Sequence, residues 1–163
     1  MKKGITVQPF IFILTLIVMA FVLAFGLKSF LDIKKTADLT ELSNFIIKLE
    51  DEVEVFYNFD VGSKKDLNLN LPLNVERICF FNTGERINVN MNDDFFRAVL
   101  ESSRRDNVFV LPLDAFSKVD FYVDGLRVDN IENPLCFNVK GKLMAEIETI
   151  LYNNNVYVQI NRL

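Results

Sequence analysis

Residues 10–27 read FIFILTLIVMAFVLAFGL and contain no charged side chain. A helix rises 1.5 Å per residue, so this stretch would cover about 27 Å, close to the roughly 30 Å hydrocarbon core of a bilayer. Extending the helix to residue 30 adds almost another turn. The sequence therefore predicts a transmembrane helix over residues 10–30, preceded by a short cytoplasmic stub over residues 1–9.

Charged residues are distributed unevenly on the two sides of this stretch. No Asp or Glu precedes Asp32, and the part after residue 27 carries 16 Lys and Arg against 22 Asp and Glu, a net charge of −6. A nucleic-acid-binding protein needs the opposite balance, so we expect no nucleic-acid partner. The residues after the span, about 130 in number, suffice for one domain with its own core.

The sequence offers no catalytic constellation. It contains no histidine, which excludes Ser-His and Cys-His nucleophilic sites and the usual His-containing zinc sites. Its six glycines are isolated and form no phosphate-binding loop. The acidic run of Glu50, Asp51, Glu52 and Glu54 is typical of the solvated face of a helix. We therefore expect no enzyme activity, no cofactor, no metal site and no small-molecule substrate.

Cys79 and Cys136 are the two cysteines of the chain, and they lack the CxxC spacing of a metal or redox motif. Two interpretations remain open. The thiols are free and buried, or they form a disulfide because the domain faces an oxidising compartment. A disulfide requires the two Cα atoms to lie within about 7 Å of each other.

Residues 31–57 predict an amphipathic continuation of the helix, since no Pro or Gly occurs between Leu27 and Gly62. Six apolar residues follow a spacing of three and four and form a heptad-like packing stripe: Leu39, Leu42, Ile46, Leu49, Val53 and Phe56. The stripe packs either on its own domain or on a partner helix, and the sequence leaves both interpretations open.

Residues 58–163 predict a small head domain with mostly antiparallel strands, which makes the fold class α+β. Alternation predicts a strand over residues 67–75, with Pro72 placing it at a sheet edge, and the apolar run 78–81 predicts a central strand. A strand over 87–91, a short helix over 92–100 and a strand over 107–111 follow. That order permits a βαβ crossover that pairs strand 78–81 with strand 107–111.

The C-terminal third predicts two hairpins. The dipeptide Asp124-Gly125 lies between Phe-Tyr-Val at 121–123 and Leu-Arg-Val at 126–128, which is a strong hairpin signal. Pro134 precedes a strand over 135–139. Residues 143–151 could form a helix or a strand, but the Asn153–Asn155 turn and the following strand over 156–160 favour a terminal hairpin.

Three interpretations compete for the N-terminus. A secretory signal peptide has an apolar region of 7–15 residues. The run here is longer, although Ala24 and Gly26 have the small-x-small spacing of a cleavage site. A permanent single-pass anchor requires nothing beyond the apolar helix.

The third interpretation starts from Lys2-Lys3-Gly4, a basic pair and a small residue shortly before the apolar run. This pattern resembles the class III signal peptide of type IV pilins and archaellins. The resemblance implies cleavage after Gly4, with residues 1–4 as the leader and Ile5 as the first mature residue. It also implies a filament subunit with a long helix and a small sheet-rich head. Pro9 occupies the fifth mature position, where many pilins have a glutamate.

Charge alone does not determine the orientation, because Lys2 and Lys3 precede the span and three lysines follow it closely. The short N-terminal tail and the two cysteines favour a cytoplasmic N-terminus and a head outside. We therefore expect a pilin-like structural or surface protein. Its partners would be the lipid bilayer and other pilin-like subunits or a membrane partner helix. The alternative is a permanently anchored extracytoplasmic binding or scaffold module.

Overall fold

The structure is a computed structural model that describes residues 7–85 and 105–163. Its first element is the helix α1, Val7–Tyr57. Two compact units divide the chain, Met1–Asp38 and Leu39–Leu163, and we name the second the C-terminal domain. The sequence predicts segment boundaries after residues 30 and 57. The C-terminal domain includes the last part of α1, from Leu39 onwards.

α1 ends where its last carbonyl groups find local partners. The Asn58 side chain donates a hydrogen bond to the Glu54 carbonyl at 3.0 Å, and the Phe59 N–H donates to the Phe56 carbonyl at 3.0 Å. Gly62 follows with a φ of 92°, a conformation that glycine adopts without steric cost. The prediction of one long helix followed by a mostly antiparallel sheet domain is confirmed.

Sheet 1 is built around a long antiparallel hairpin at the C-terminus. Its strand order is β1 (Lys64–Asn70), β7 (Lys142–Tyr152), β8 (Asn155–Asn161) and β5 (Leu126–Arg127). β7 and β8 form the predicted terminal hairpin, and their turn has positive φ at Asn153 and Asn154, as a type I′ turn requires. β1 lies at a sheet edge as predicted, but it ends before Pro72 instead of continuing to residue 75.

Sheet 2 has the order β4 (Asp120–Phe121), β3 (Val108–Leu111), β2 (Arg77–Phe80) and β6 (Leu135–Asn138). β2 is central, as the apolar run 78–81 predicts. The suggested βαβ crossover is wrong, because β2 and β3 pair antiparallel. An antiparallel pair returns the chain at the same end of the sheet and needs no crossover.

The predicted hairpin at Asp124-Gly125 is also wrong. β4, which precedes this turn, belongs to sheet 2, whereas β5, which follows it, pairs parallel to β8 in sheet 1. The turn therefore carries the chain from one sheet to the other. The reason is that buried asparagine side chains bind the backbone on both sides of the turn, as described below.

One hydrophobic core joins the buried face of α1 to inward-facing residues of both sheets. A second, smaller cluster contains Cys79, Phe81, Phe109 and Leu111, which are buried on the other face of sheet 2. Burial on both faces explains why residues 78–80 of β2 and all residues of β3 are apolar. The predicted strand over 87–91 and the predicted helix over 92–100 lie outside the described residues.

Candidate functional site

The apolar part of α1 is exposed along its length. Large hydrophobic side chains between residues 10 and 30 have exposed fractions of 47–69%. Its most apolar 18-residue window has a mean hydropathy of 2.9, so this helix is long and apolar enough to cross a membrane. The hydroxyl of Thr15 donates to the Phe12 carbonyl at 2.8 Å, which satisfies the one polar side chain of the stretch 10–27 within the helix. The predicted cleavage site at Gly4 and Ile5 lies outside the described residues.

The predicted packing stripe faces the core of the C-terminal domain over most of its length. Leu42, Ile46, Leu49, Val53 and Phe56 are at most 7% exposed, whereas Leu39 is 42% exposed. Phe45, which does not belong to the heptad-like stripe, is 1% exposed. A helix face that packs on sheets is broader than a coiled-coil seam, so a strict three-four pattern omits such a residue.

The structure joins Cys79 and Cys136 in a disulfide, with the two Cα atoms 4.0 Å apart. The two residues lie directly opposite each other in the antiparallel pair of β2 and β6. Cys79 is fully buried, and Cys136 is half-buried.

Buried asparagines fix the segment that connects the two sheets. The Asn82 side chain accepts from the Val128 N–H at 2.9 Å and donates to the Val128 carbonyl at 2.8 Å. Asn107 binds Val123 in the same way, with both distances 2.8 Å. Each side-chain amide therefore forms the same pair of hydrogen bonds, one donated and one accepted, that a backbone residue of a neighbouring strand would form. The segment between Val123 and Val128 is therefore held at both ends.

A third buried amide extends this network. The Asn133 side chain accepts a hydrogen bond from the Asn82 N–H at 3.0 Å and donates one to the Asn82 carbonyl at 3.4 Å. No buried side-chain nitrogen or oxygen of the described residues lacks a partner. These hydrogen bonds matter for stability, because a buried amide without a hydrogen-bond partner would lower the free energy of unfolding by about 1–3 kcal/mol.

An open cleft of about 860 Å³ lies beside this segment, within the C-terminal domain. The end of α1, the loop before β5 and the first residues of β8 surround it. Its lining residues include three carboxylates, three tyrosines and no lysine or arginine: Glu50, Val53, Glu54, Tyr57, Asn58, Tyr122, Val123, Asp124, Gly125, Asn155, Val156 and Tyr157.

Gly125 determines how closely the loop approaches α1. Its φ is 72°, and a Cβ at this position would lie 3.3 Å from the Tyr57 ring. Its carbonyl accepts a hydrogen bond from the Val158 N–H at 2.8 Å. A side chain here would be strained and would push against the tyrosine, so glycine keeps the wall of the cleft in place.

The carboxylates of the cleft form no ion pair with the lysines and arginines that the structure describes. Within residues 7–85 and 105–163, no ion pair involves Glu50, Glu54 or Asp124, whereas Glu52 pairs with Lys65 at 2.6 Å. Glu54 also lies in the last turn of α1, which contains no basic residue. A carboxylate there faces the negative end of the helix dipole, an unfavourable arrangement. Among the described residues the lining of the cleft therefore carries negative charge only, although Arg105 lies close enough to act on Tyr122 and to lower its pKa.

Tyr122 is bound to one of these carboxylates. Its hydroxyl donates to Asp124 Oδ1 at 2.9 Å, and the same oxygen accepts the Gly125 N–H at 3.0 Å. The hydrogen bond to Asp124 raises the pKa of Tyr122 above its usual 10.0, and burial and the negative charge of Asp124 act in the same direction. The phenol therefore stays protonated to a higher pH than a free tyrosine.

The carboxylates do not converge as metal ligands do. No group of three or more His, Cys, Asp or Glu side chains in the described part of the chain is placed to hold a metal ion.

Sequence patterns indicate the solvated face that carries Glu50 and Glu54, but not the cleft itself. Tyr122, Asp124 and Tyr157 join that face only through the sheet-to-sheet connection, which has no local sequence signature. The spacing of four between Glu50 and Glu54 was the one available signal, since it places both on the same side of a helix.

Comparison with protein-family models, with curated proteins and with solved structures gives no match for this chain.

Proposed function

We propose that this chain is a single-pass, membrane-anchored structural protein, a pilin-like subunit with its C-terminal domain outside the cytoplasm. The observation that carries the proposal is the exposed apolar part of α1 near the N-terminus, which is followed by a domain with its own buried core. An exposed apolar surface of that size is compatible with lipid or with the apolar helices of other subunits, and not with water. The proposed role is structural and not catalytic.

Two observations support the proposed orientation. The disulfide between Cys79 and Cys136 suits an oxidising compartment. The basic residues Lys2 and Lys3, which precede the apolar stretch, suit a cytoplasmic position.

The decisive experiment is mass spectrometry of the N-terminus of protein extracted from membranes. We expect a mature chain that begins at Ile5, because the resemblance to class III signal peptides places the cleavage after Gly4. An intact Met1-Lys2-Lys3 would overturn the filament-subunit proposal.

Gly4→Val and Gly26→Val form a matched pair of variants. We expect Gly4→Val to retain the leader and Gly26→Val to be processed like the wild type. A Cβ at Gly26 would meet no atom within 4 Å, so valine there creates no clash. Blocked processing in Gly26→Val alone would indicate a secretory signal peptide cleaved after the small residues Ala24 and Gly26.

The second candidate function is a permanently anchored extracytoplasmic binding or scaffold module. The acidic, tyrosine-lined cleft favours it, because a purely structural domain gains nothing from uncompensated carboxylates at a helix end. This candidate requires no cleavage after Gly4.

A further inference from the structure

We infer that the cleft binds a basic segment of a partner polypeptide in extended conformation. In this arrangement the partner segment pairs with the backbone of β8 at Val156. A Lys or Arg of the segment reaches the carboxylates of Glu50, Glu54 and Asp124. The inference does not depend on whether the N-terminus is cleaved, since every residue involved lies between residues 50 and 157.

The charge of the cleft determines the sign of the partner. Glu50 and Glu54 are exposed and have no ion-pair partner in the described part of the chain, and Glu54 lies in the last turn of α1, at its negative end. A cation placed among these carboxylates would relieve both their mutual repulsion and their unfavourable interaction with the helix dipole. An anionic or neutral partner would relieve neither.

The aromatic lining favours a lysine or arginine side chain over a small hydrated ion. Tyr57 and Tyr122 are 47% and 51% exposed, and tyrosine rings attract Lys and Arg through cation–π contacts. The domain already contains such contacts, one of them at Tyr157 of the cleft lining. The Arg127 guanidinium lies 3.9 Å from the centre of the Tyr152 ring and 5.0 Å from that of Tyr157, and it forms an ion pair with Glu85.

The backbone of β8 indicates why the partner segment would be extended. The Val158 N–H donates to the Gly125 carbonyl, so the backbone groups of Val158 point towards β5. Strand geometry directs the backbone groups of Val156, two residues earlier, to the same side. β5 pairs only with Val158 and Gln159, so it does not extend to Val156, which lines the cleft. An added strand at this edge would continue sheet 1.

The size of the cleft fits a few residues and not a folded surface. Its volume of about 860 Å³ lies within the 300–1,000 Å³ that is usual for ligand sites. Two or three residues of an extended partner segment would fill it. One long side chain of that segment would lie between α1 and the loop before β5.

The test measures binding of a hexapeptide to the full-length protein in neutral detergent at low salt. Both ends of the peptide are blocked, and its two lysines each lie between valines, which make up the rest of the sequence. A second peptide with glutamine in place of lysine is the matched ligand control. We expect saturable binding of the lysine peptide that weakens as salt is added, and no binding of the glutamine peptide. Equal binding of the two peptides, or no saturable binding of either, would overturn the proposal.

The variant Glu50→Gln/Glu54→Gln tests the carboxylates, with Asp51→Asn as control. Asp51 is an exposed carboxylate on the same helix that does not line the cleft. We expect the double variant to raise Kd about tenfold, and Asp51→Asn to change it less than twofold. We also expect the double variant to unfold at the same or higher urea concentration, because it removes charge near the negative end of the helix. A loss of binding accompanied by a loss of stability, or an equal effect of the control, would overturn the proposal.

Val156→Pro tests the strand pairing. Proline removes an N–H that faces the cleft and not β7, so the hairpin keeps its own hydrogen bonds. We expect a loss of affinity of about fivefold, the effect of one net hydrogen bond. Unchanged affinity would overturn the paired, extended arrangement. The wild-type protein could also associate with itself through the cleft. If the double variant abolished that self-association and the lysine peptide did not displace it, the cleft would bind a second copy of this chain. That result would overturn the proposal of a different partner polypeptide.

Discussion

The two parts of α1 have the same secondary structure and opposite surroundings. Between residues 10 and 30, large apolar side chains occur on every side of the helix and remain exposed in the structure. Between residues 39 and 57, apolar side chains occur mainly on one side and are buried in the core of the C-terminal domain. The difference shows that the pattern of apolar residues, and not helix formation, determines what each part contacts.

In the proposed arrangement the first part packs against lipid or other apolar helices, whereas the second part packs on its own chain. Perturbations of the core should change the stability of the C-terminal domain and leave membrane association unchanged. Two predictions test this separation, and a third tests the surroundings of Tyr122 within the C-terminal domain.

The largest effect is expected from removing the disulfide with Cys79→Ala and Cys136→Ala. The bond closes a loop with a sequence separation of 57, and losing it should lower the free energy of unfolding of the domain by about 4 kcal/mol. Urea unfolding followed by circular dichroism measures this change. Resistance of the protein to alkaline extraction from membranes should remain that of the wild type.

Reduced wild-type protein is the control for the alanine pair, and it should unfold at a similar urea concentration. A change below about 1 kcal/mol in both would mean that the core alone determines stability. Loss of membrane association in the variant would contradict the separation of the two parts.

The second effect compares two leucines of α1, Leu49 and Leu23. Leu49 is fully buried in the core, whereas Leu23 is 66% exposed. We expect Leu49→Ala to lower the free energy of unfolding by about 3 kcal/mol, since it removes a packed side chain and leaves a cavity. Leu23→Ala should leave urea unfolding of the domain unchanged. Equal effects of the two substitutions would disprove the independence of the two parts.

The smallest effect concerns the pH dependence that Tyr122 confers on the C-terminal domain. Its pKa is raised in the folded state by the hydrogen bond to Asp124, so the folded protein holds this proton more tightly than the unfolded chain does. The resulting stabilisation is complete below pH 10.0, the usual pKa, and is lost as the pH rises through the raised folded pKa. Titration of tyrosinate absorbance should show a late-ionising group.

Tyr122→Phe should remove that late group and abolish the corresponding loss of stability at high pH. Tyr152→Phe, outside the cleft lining, is the control and should leave the late group in place. A late ionisation that persists in Tyr122→Phe would assign the raised pKa to another tyrosine.

Sequence patterns predicted the elements of this fold better than their pairing. The long helix, the central strand over β2, the edge position of β1 and the hairpin of β7 and β8 all follow from local periodicity and turn residues. These features depend on residues that are close in sequence. The amphipathic pattern also indicates which face of the helix is apolar, although it omits Phe45.

The failures share a physical cause, which is that long-range contacts override a local signal. Asp124-Gly125 has the sequence of a hairpin turn, yet Asn107 binds Val123 and Asn82 binds Val128, and these contacts assign the two sides of the turn to different sheets. No local pattern reveals that an asparagine will replace a strand. The cleft was missed for the same reason, since its residues converge only after this connection is made.

The disulfide has a mechanical consequence for a domain that is tethered at one end. Because Cys79 and Cys136 are covalently joined, tension applied between α1 and the C-terminus passes from one cysteine to the other. The intervening chain, about 200 Å when fully extended, carries no load. Pulling can therefore lengthen the protein only through the segments outside this loop, and the loop residues that hold the cleft wall, Val123 to Val128, are shielded from direct traction.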